Sequence, residues 1–124
     1  MKFNNKNILV TGGNGMIGKR LVELLEHRGA NITIADLPVD LRDRDTCREV
    51  CDGQDIVFHL AGIKGSPQRC MEQPASFSVP MIQFNANMIE AAHSAGVEWF
   101  LYTSSVGVYQ PAEVFKEDDV WETF

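Results

Sequence analysis

Apolar residues in this chain fall into short continuous runs, separated by stretches whose apolar positions recur at helical spacing. Ile8-Leu9-Val10 reads as the centre of a buried strand, about Asn7 to Thr11, after a polar lead-in from Met1 to Lys6. From Met16 the period changes. Ile17, Leu21, Leu24 and Leu25 share one helical face, which predicts a helix from Gly15 to His27 stopped by Gly29. Ile32 to Asp36 alternates as a second strand, and Pro38 bars its continuation as a helix. A short helix is expected over Arg44 to Cys51, with Asp43 as its N-cap and Gly53 closing it. Asp55 to Gly62 is a third, continuously apolar strand that ends in small residues. Lys64 to Val79 has no sustained period and reads as a long loop. A helix beginning near Pro80 then buries Met81, Phe84, Met88, Ala91 and Ala92 before Gly96 ends it. Val97 to Thr103 reads as a fourth buried strand, and Val106 to Phe124 as a loop-like acidic tail. Strands alternating with helices imply an α/β fold with a parallel sheet and right-handed crossovers.

Candidate chemistry sits where the first strand meets the first helix. Gly12-Gly13-Asn14-Gly15-Met16-Ile17-Gly18 contains Gly-x-Gly-x-x-Gly in the strand-turn-helix context of a dinucleotide site. Glycines let a turn tighten and let backbone approach an anion, while the helix start offers free N–H groups and its positive dipole end. Asp36 ends the second strand eighteen positions after Gly18. An acid there reaches the hydroxyls of an adenosine ribose and repels a 2′-phosphate, which favours NAD over NADP; a plain turn aspartate is the alternative. Leu60-Ala61-Gly62 and Ser104-Ser105 also fall at the carboxyl ends of strands, where such sheets keep their ligand crevice.

Composition narrows the picture. With 124 residues, 44% of them hydrophobic, the chain can bury one core. A net charge of -6 argues against a nucleic-acid partner. No apolar run approaches the ~20 residues that span a bilayer, and the N-terminus has no signal-peptide core. The three cysteines lack a metal-binding spacing; Cys47 and Cys51 read as reduced core residues of a cytoplasmic protein. His27 reads as a helix-end residue, and His59 as a buried histidine with one nitrogen satisfied.

Thr11-Gly12-x-x-Gly15-x-x-Gly18, Asp36, Asp40-Leu41-x-Asp43, His59-Leu60-Ala61-Gly62 and Ser104-Ser105-x-x-x-Tyr109 together resemble the extended short-chain dehydrogenase/reductases. These are the NAD-dependent epimerases and dehydratases of nucleotide sugars. The resemblance covers almost the whole chain and implies a Rossmann-like domain over 1–124, incomplete and cut before the substrate lobe. It implies that Gly12, Gly15 and Gly18 form the pyrophosphate turn, with Met16 and Ile17 offering backbone N–H groups. It assigns Asp36 to the adenosine ribose, Asp40 and Leu41 to the adenine, and Leu60, Ala61, Gly62 and Thr103 to strand ends against the cofactor. Lys64 matches a lysine that reaches the nicotinamide ribose in UDP-galactose 4-epimerases. Ser105 matches the catalytic serine or threonine, and Tyr109 a structural tyrosine.

There are departures. The family's Tyr-x-x-x-Lys is absent and by spacing falls shortly beyond Phe124. Met81 stands where a cofactor-contacting asparagine is usual, Asn85 and Asn87 receive no role, and Gln110 replaces a glycine. The stretch from Pro74 to Ala92 also looks like GDP-fucose synthases, whose spacing after the serine pair differs. The expectation is therefore the NAD(H)-binding part of a nucleotide-sugar epimerase, dehydratase or reductase, inactive alone, which self-associates if Val97 to Thr103 becomes an exposed edge. A stand-alone nucleotide-binding or redox-sensing module, and an interaction module whose glycine turn only packs, remain the alternatives.

Overall fold

A computed structural model describes residues 3–122; Met1, Lys2, Thr123 and Phe124, at the outer ends of the expected lead-in and tail, lie outside the described residues. Four strands form one sheet in the order β2-β1-β3-β4: β1 (Asn7–Thr11), β2 (Asn31–Ala35), β3 (Ile56–His59) and β4 (Trp99–Tyr102). Every neighbouring pair is parallel. Thr11 is level with Ala35 on one side and with His59 on the other, and His59 with Tyr102, so all four strands end on one line. The chain leaves β1 toward β2 on one flank and later fills β3 on the other, which makes the carboxyl end of β1 the switch point of the sheet.

Alternation along the strands divides the core into two layers. Ile8, Val10 and Ile56 face α1 (Met16–Glu26), whose Val22 and Leu25 close that layer. Leu9, Ala35 and Val57 face the opposite way, onto Cys47 and Cys51 of α2 (Arg44–Cys51) and onto Phe84, Met88, Ala91 and Ala92 of α4 (Pro74–Ser94). Both thiols are buried as expected, and burial pushes Cys47 up to about 12 and Cys51 up to about 11, so neither is a nucleophile at neutral pH. Glu90 of α4 accepts from Arg44 and Arg48 of α2, at 3.0 and 3.2 Å, and pins the two helices together.

Four sequence expectations need correction. The inward face of α1 is Gly18, Val22 and Leu25, while Ile17 and Leu24 are exposed. Gly18 lies against the backbone of Gly12 and Gly13, so the inward face of α1 runs from Gly18 through Val22 to Leu25 and leaves Ile17 outside it. The expected loop from Lys64 to Val79 holds a short helix, α3 (Pro67–Glu72), and the first turns of α4. Pro80 therefore lies inside α4 instead of starting it; Phe77, one turn earlier, is buried and continues the inward face. Finally, among the described residues β4 is one of the two edges of the sheet and not a buried strand: Trp99, Leu101 and Tyr102 are exposed, and Phe100 alone packs on the core. In the tail, 3-10 turns occupy Val106–Val108 and Glu117–Glu122.

Candidate nucleotide-binding cleft

The loops that follow β1, β2 and β3 enclose a cleft of about 1020 Å³, whose walls also take in Ser76, Pro80 and Phe84 of α4. Two glycines make its floor possible. Gly12 has φ +68, and a Cβ on it would sit 3.1 Å from the backbone of Leu60 and Ala61. A Cβ on Gly18 would collide with the Gly12 carbonyl oxygen and the Gly13 backbone, so α1 can start this close to the turn only with glycine there. Gly15 caps α1 without a side chain, which leaves the first N–H groups of the helix for another acceptor. Those features fit a group that brings an anion to the helix start.

Asp36 is fixed by the turn it faces. Its Oδ2 accepts the N–H of Asn14 at 3.0 Å and its Oδ1 the N–H of Leu37 at 2.8 Å. Asp40 carries Arg42: Arg42 donates from Nε to Oδ1 at 2.8 Å, from Nη2 to Oδ2 at 2.6 Å, and from its backbone N–H to Oδ1 at 3.0 Å. The guanidinium holds the Asp40 carboxyl down at about 2. Leu41 is buried, and its carbonyl accepts from the Cys47 thiol at 3.0 Å. Asn87 of α4 donates to the carbonyl of Arg42 at 2.9 Å, so this loop is tied to the helix behind it.

Behind the cleft lies a buried polar chain. His59 is fully buried among Phe84, Phe100 and Tyr102. Both its nitrogens have partners, where one was expected: Nδ1 meets Thr11 Oγ1 at 2.7 Å and Nε2 meets Asn85 Oδ1 at 2.9 Å. Asn85 donates from Nδ2 to the Tyr102 hydroxyl, and Thr11 Oγ1 accepts the N–H of Ala61. The network therefore assigns the proton to Nε2 of a neutral imidazole, with the Thr11 hydroxyl donating to Nδ1. Burial pushes the His59 pKa down, against a smaller opposing pull from Asn85.

The cleft brings together Gly12, Gly15, Asp36, Asp40, Leu41, Leu60, Ala61, Gly62 and Lys64 from the sequence-based set. Met16 and Ile17 are exposed in the first turn of α1, and Gly18 is buried beneath the turn. Thr103 and Ser105 lie outside the cleft lining. Thr103 Oγ1 donates to the His59 carbonyl at 3.5 Å, and Ser105 Oγ accepts the N–H of Gly107 at 3.1 Å. Tyr109 packs its ring on Phe115. Sequence reasoning missed Asn14, Arg42 and the joint Thr11-His59-Asn85 chain. Asn87 was within reach, since it shares the α4 face of Phe84, Met88 and Ala91. Among the described residues no cluster of His, Cys, Asp and Glu could hold a metal ion, and no helix is long and apolar enough to cross a membrane.

A parallel sheet with a glycine turn at its switch point defines a Rossmann-like domain. The chain belongs to the NAD dependent epimerase/dehydratase family, whose profile matches residues 8–123. It is 31% identical to a UDP-N-acetyl-alpha-D-glucosaminuronate decarboxylase of Bacillus cytotoxicus, over 92% of this chain and 41% of that protein. It is 34% identical to a 3 beta-hydroxysteroid dehydrogenase/Delta 5-->4-isomerase of Mycobacterium tuberculosis, over 82% of this chain and 32% of that protein. The UDP-glucose 4-epimerase of Thermus thermophilus, solved in complex with NAD, superposes with a TM-score of 0.77 at 26% identity, over 91% of this chain and 43% of that one. The chain thus spans less than half the length of these relatives.

Proposed function

We propose that this chain is the NAD(H)-binding portion of an epimerase, dehydratase or reductase that works on a nucleotide sugar by hydride transfer at a sugar carbon. The observation that carries the reading is the single cleft in which the glycine turn, Asp36 and the β3 end converge. The uncapped start of α1, with the N–H groups of Met16 and Ile17, would hold the pyrophosphate, and Asp36 the adenosine ribose. Asp40 and Leu41 would flank the adenine, while Leu60, Ala61, Gly62, Lys64 and Thr103 would serve the nicotinamide half. The bound dinucleotide supplies the hydride chemistry. Ser105 would fix a substrate oxygen, and with no Tyr-x-x-x-Lys in these 124 residues the chain by itself binds without turnover. The likeness to the mycobacterial steroid dehydrogenase favours a second reading, in which the reacting alcohol belongs to a steroid; the coenzyme cleft would be the same.

We also infer that copies associate through the open edge of β4, and that reduced thiols suit a cytoplasmic setting. Calorimetric titration tests the main reading. NAD should bind, NADP should bind at least about tenfold more weakly because a 2′-phosphate meets the acidic β2 side of the cleft that begins at Asp36, and Gly15→Val should abolish both. Tighter NADP binding, or a Gly15→Val protein that binds as before, would overturn it.

A further inference from the structure

On the reading of the cleft as a dinucleotide site, we propose that Asp40 is a specificity-determining residue: it captures Arg42, the cation that would otherwise receive a 2′-phosphate, and so enforces preference for the unphosphorylated coenzyme. The charged residues lining the cleft are Asp36, Asp40, Arg42 and Lys64, and the first three follow β2. Arginine's planar fork is the group best matched to a phosphate dianion. Here the fork is already closed on a carboxylate, with Nε and Nη2 at 2.8 and 2.6 Å from the two Asp40 oxygens.

The arrangement is built and not a chance meeting of surface charges. Asp40 also accepts the backbone N–H of Arg42, and Asn87 fixes the Arg42 carbonyl, so the backbone that aims the guanidinium is held at both of its polar groups. The pair stays ionised through the neutral range, since Asp40 is held at about 2. The β2 side of the cleft therefore carries two carboxylates against one guanidinium. A 2′-phosphate meets net negative charge and a fork with its paired donors occupied. Asp36 repels it and Asp40 removes its partner, so removing only the repulsion leaves the phosphate without a receptor.

Titrations of the full chain with NAD and with NADP test this, read as the ratio of the two dissociation constants. The ratio cancels any contact that Asp40 makes with the adenine, which both dinucleotides share. Asp36→Asn alone should move the ratio toward NADP by less than about tenfold, and Asp36→Asn/Asp40→Asn by a further tenfold or more, the scale of a charge-assisted contact. Adding Arg42→Ala to that double variant should erase the second gain, whereas Arg42→Ala in the Asp36→Asn protein should bring no gain and move the ratio back toward NAD, because it bares the Asp40 carboxylate. A second gain that survives Arg42→Ala, or no second gain, overturns the proposal while the coenzyme reading stands. Failure of the unaltered chain to bind either dinucleotide overturns both. Asp40 and Arg42 are half-exposed, and circular dichroism of each variant confirms the comparison is between folded proteins.

Discussion

His59 gives the clearest residue-scale consequence. As a neutral donor at Nε2 and acceptor at Nδ1 it joins Thr11, beside the glycine turn, to Asn85 on α4. Its folded pKa is pushed below the ordinary 6.5 by burial, so between those two values the unfolded chain binds the proton and the folded chain does not. Stability contributed by the neutral ring is thus complete above pH 6.5 and is lost as pH falls through the folded pKa, at up to about 1.4 kcal/mol per pH unit. Equilibrium urea unfolding from pH 7.5 to 5 should show that decline, and His59→Gln should flatten it. His59→Ala should cost about 2–4 kcal/mol, from the cavity and from the Thr11 and Asn85 groups left unpaired. These partners were illegible in the sequence because Thr11 and Asn85 lie 48 and 26 positions away. Asp36 was legible, since a strand end and a fixed distance from Gly18 locate it without any long-range contact.

At the scale of elements, what the sequence resolves depends on whether local signals agree. For α2 they do. Asp43 accepts the Thr46 N–H at 2.7 Å, Cys47 and Cys51 share a face, and the helix runs over Arg44–Cys51 as expected. Asp43→Ala should lower stability by about 0.5–2 kcal/mol in chemical denaturation, with an unchanged denaturant slope. The Thr46 N–H holds the Asp43 carboxyl below its usual range, so the cap persists as pH falls past the ordinary aspartate value and fails only at the lower folded one. For α4 the signals conflict. A proline suits a helix start, yet Pro80 sits one turn and a half inside a helix that Pro74 begins. Removing its N–H forfeits one backbone bond, and the burial of Phe77 and Phe84 on either side outweighs that loss. Tertiary packing decided the boundary, and no local rule could reveal it.

For the whole molecule, the consequential feature is the exposed apolar edge at β4. Its exposed Trp99, Leu101 and Tyr102 flank a row of backbone groups with no strand beyond them among the described residues. Sedimentation velocity should show concentration-dependent association, and Leu101→Lys should shift the distribution toward monomer. A strictly monomeric unaltered chain with solvent-quenched Trp99 fluorescence would refute the edge as a contact. The sequence made this strand readable as apolar but not as an edge, because position in a sheet is fixed by neighbours far along the chain.

The order of the sheet also bears on how the protein is made. Of the four strands β1 leaves the ribosome first, and it supports the rest, with β2 on one side and β3 on the other. Parallel pairing allows no hairpin, so Ile8, Leu9 and Val10 have nothing to close against until residues 31–35 and then 56–59 follow. At ~5–20 residues per second, the interval between β1 and β3 is ~2–9 s. Through those seconds the most deeply buried strand of the finished fold is an extended apolar segment open to any passing chain. The nascent polypeptide is therefore at its most vulnerable around β1, and a chaperone that recognises it there would shield the future floor of the cleft.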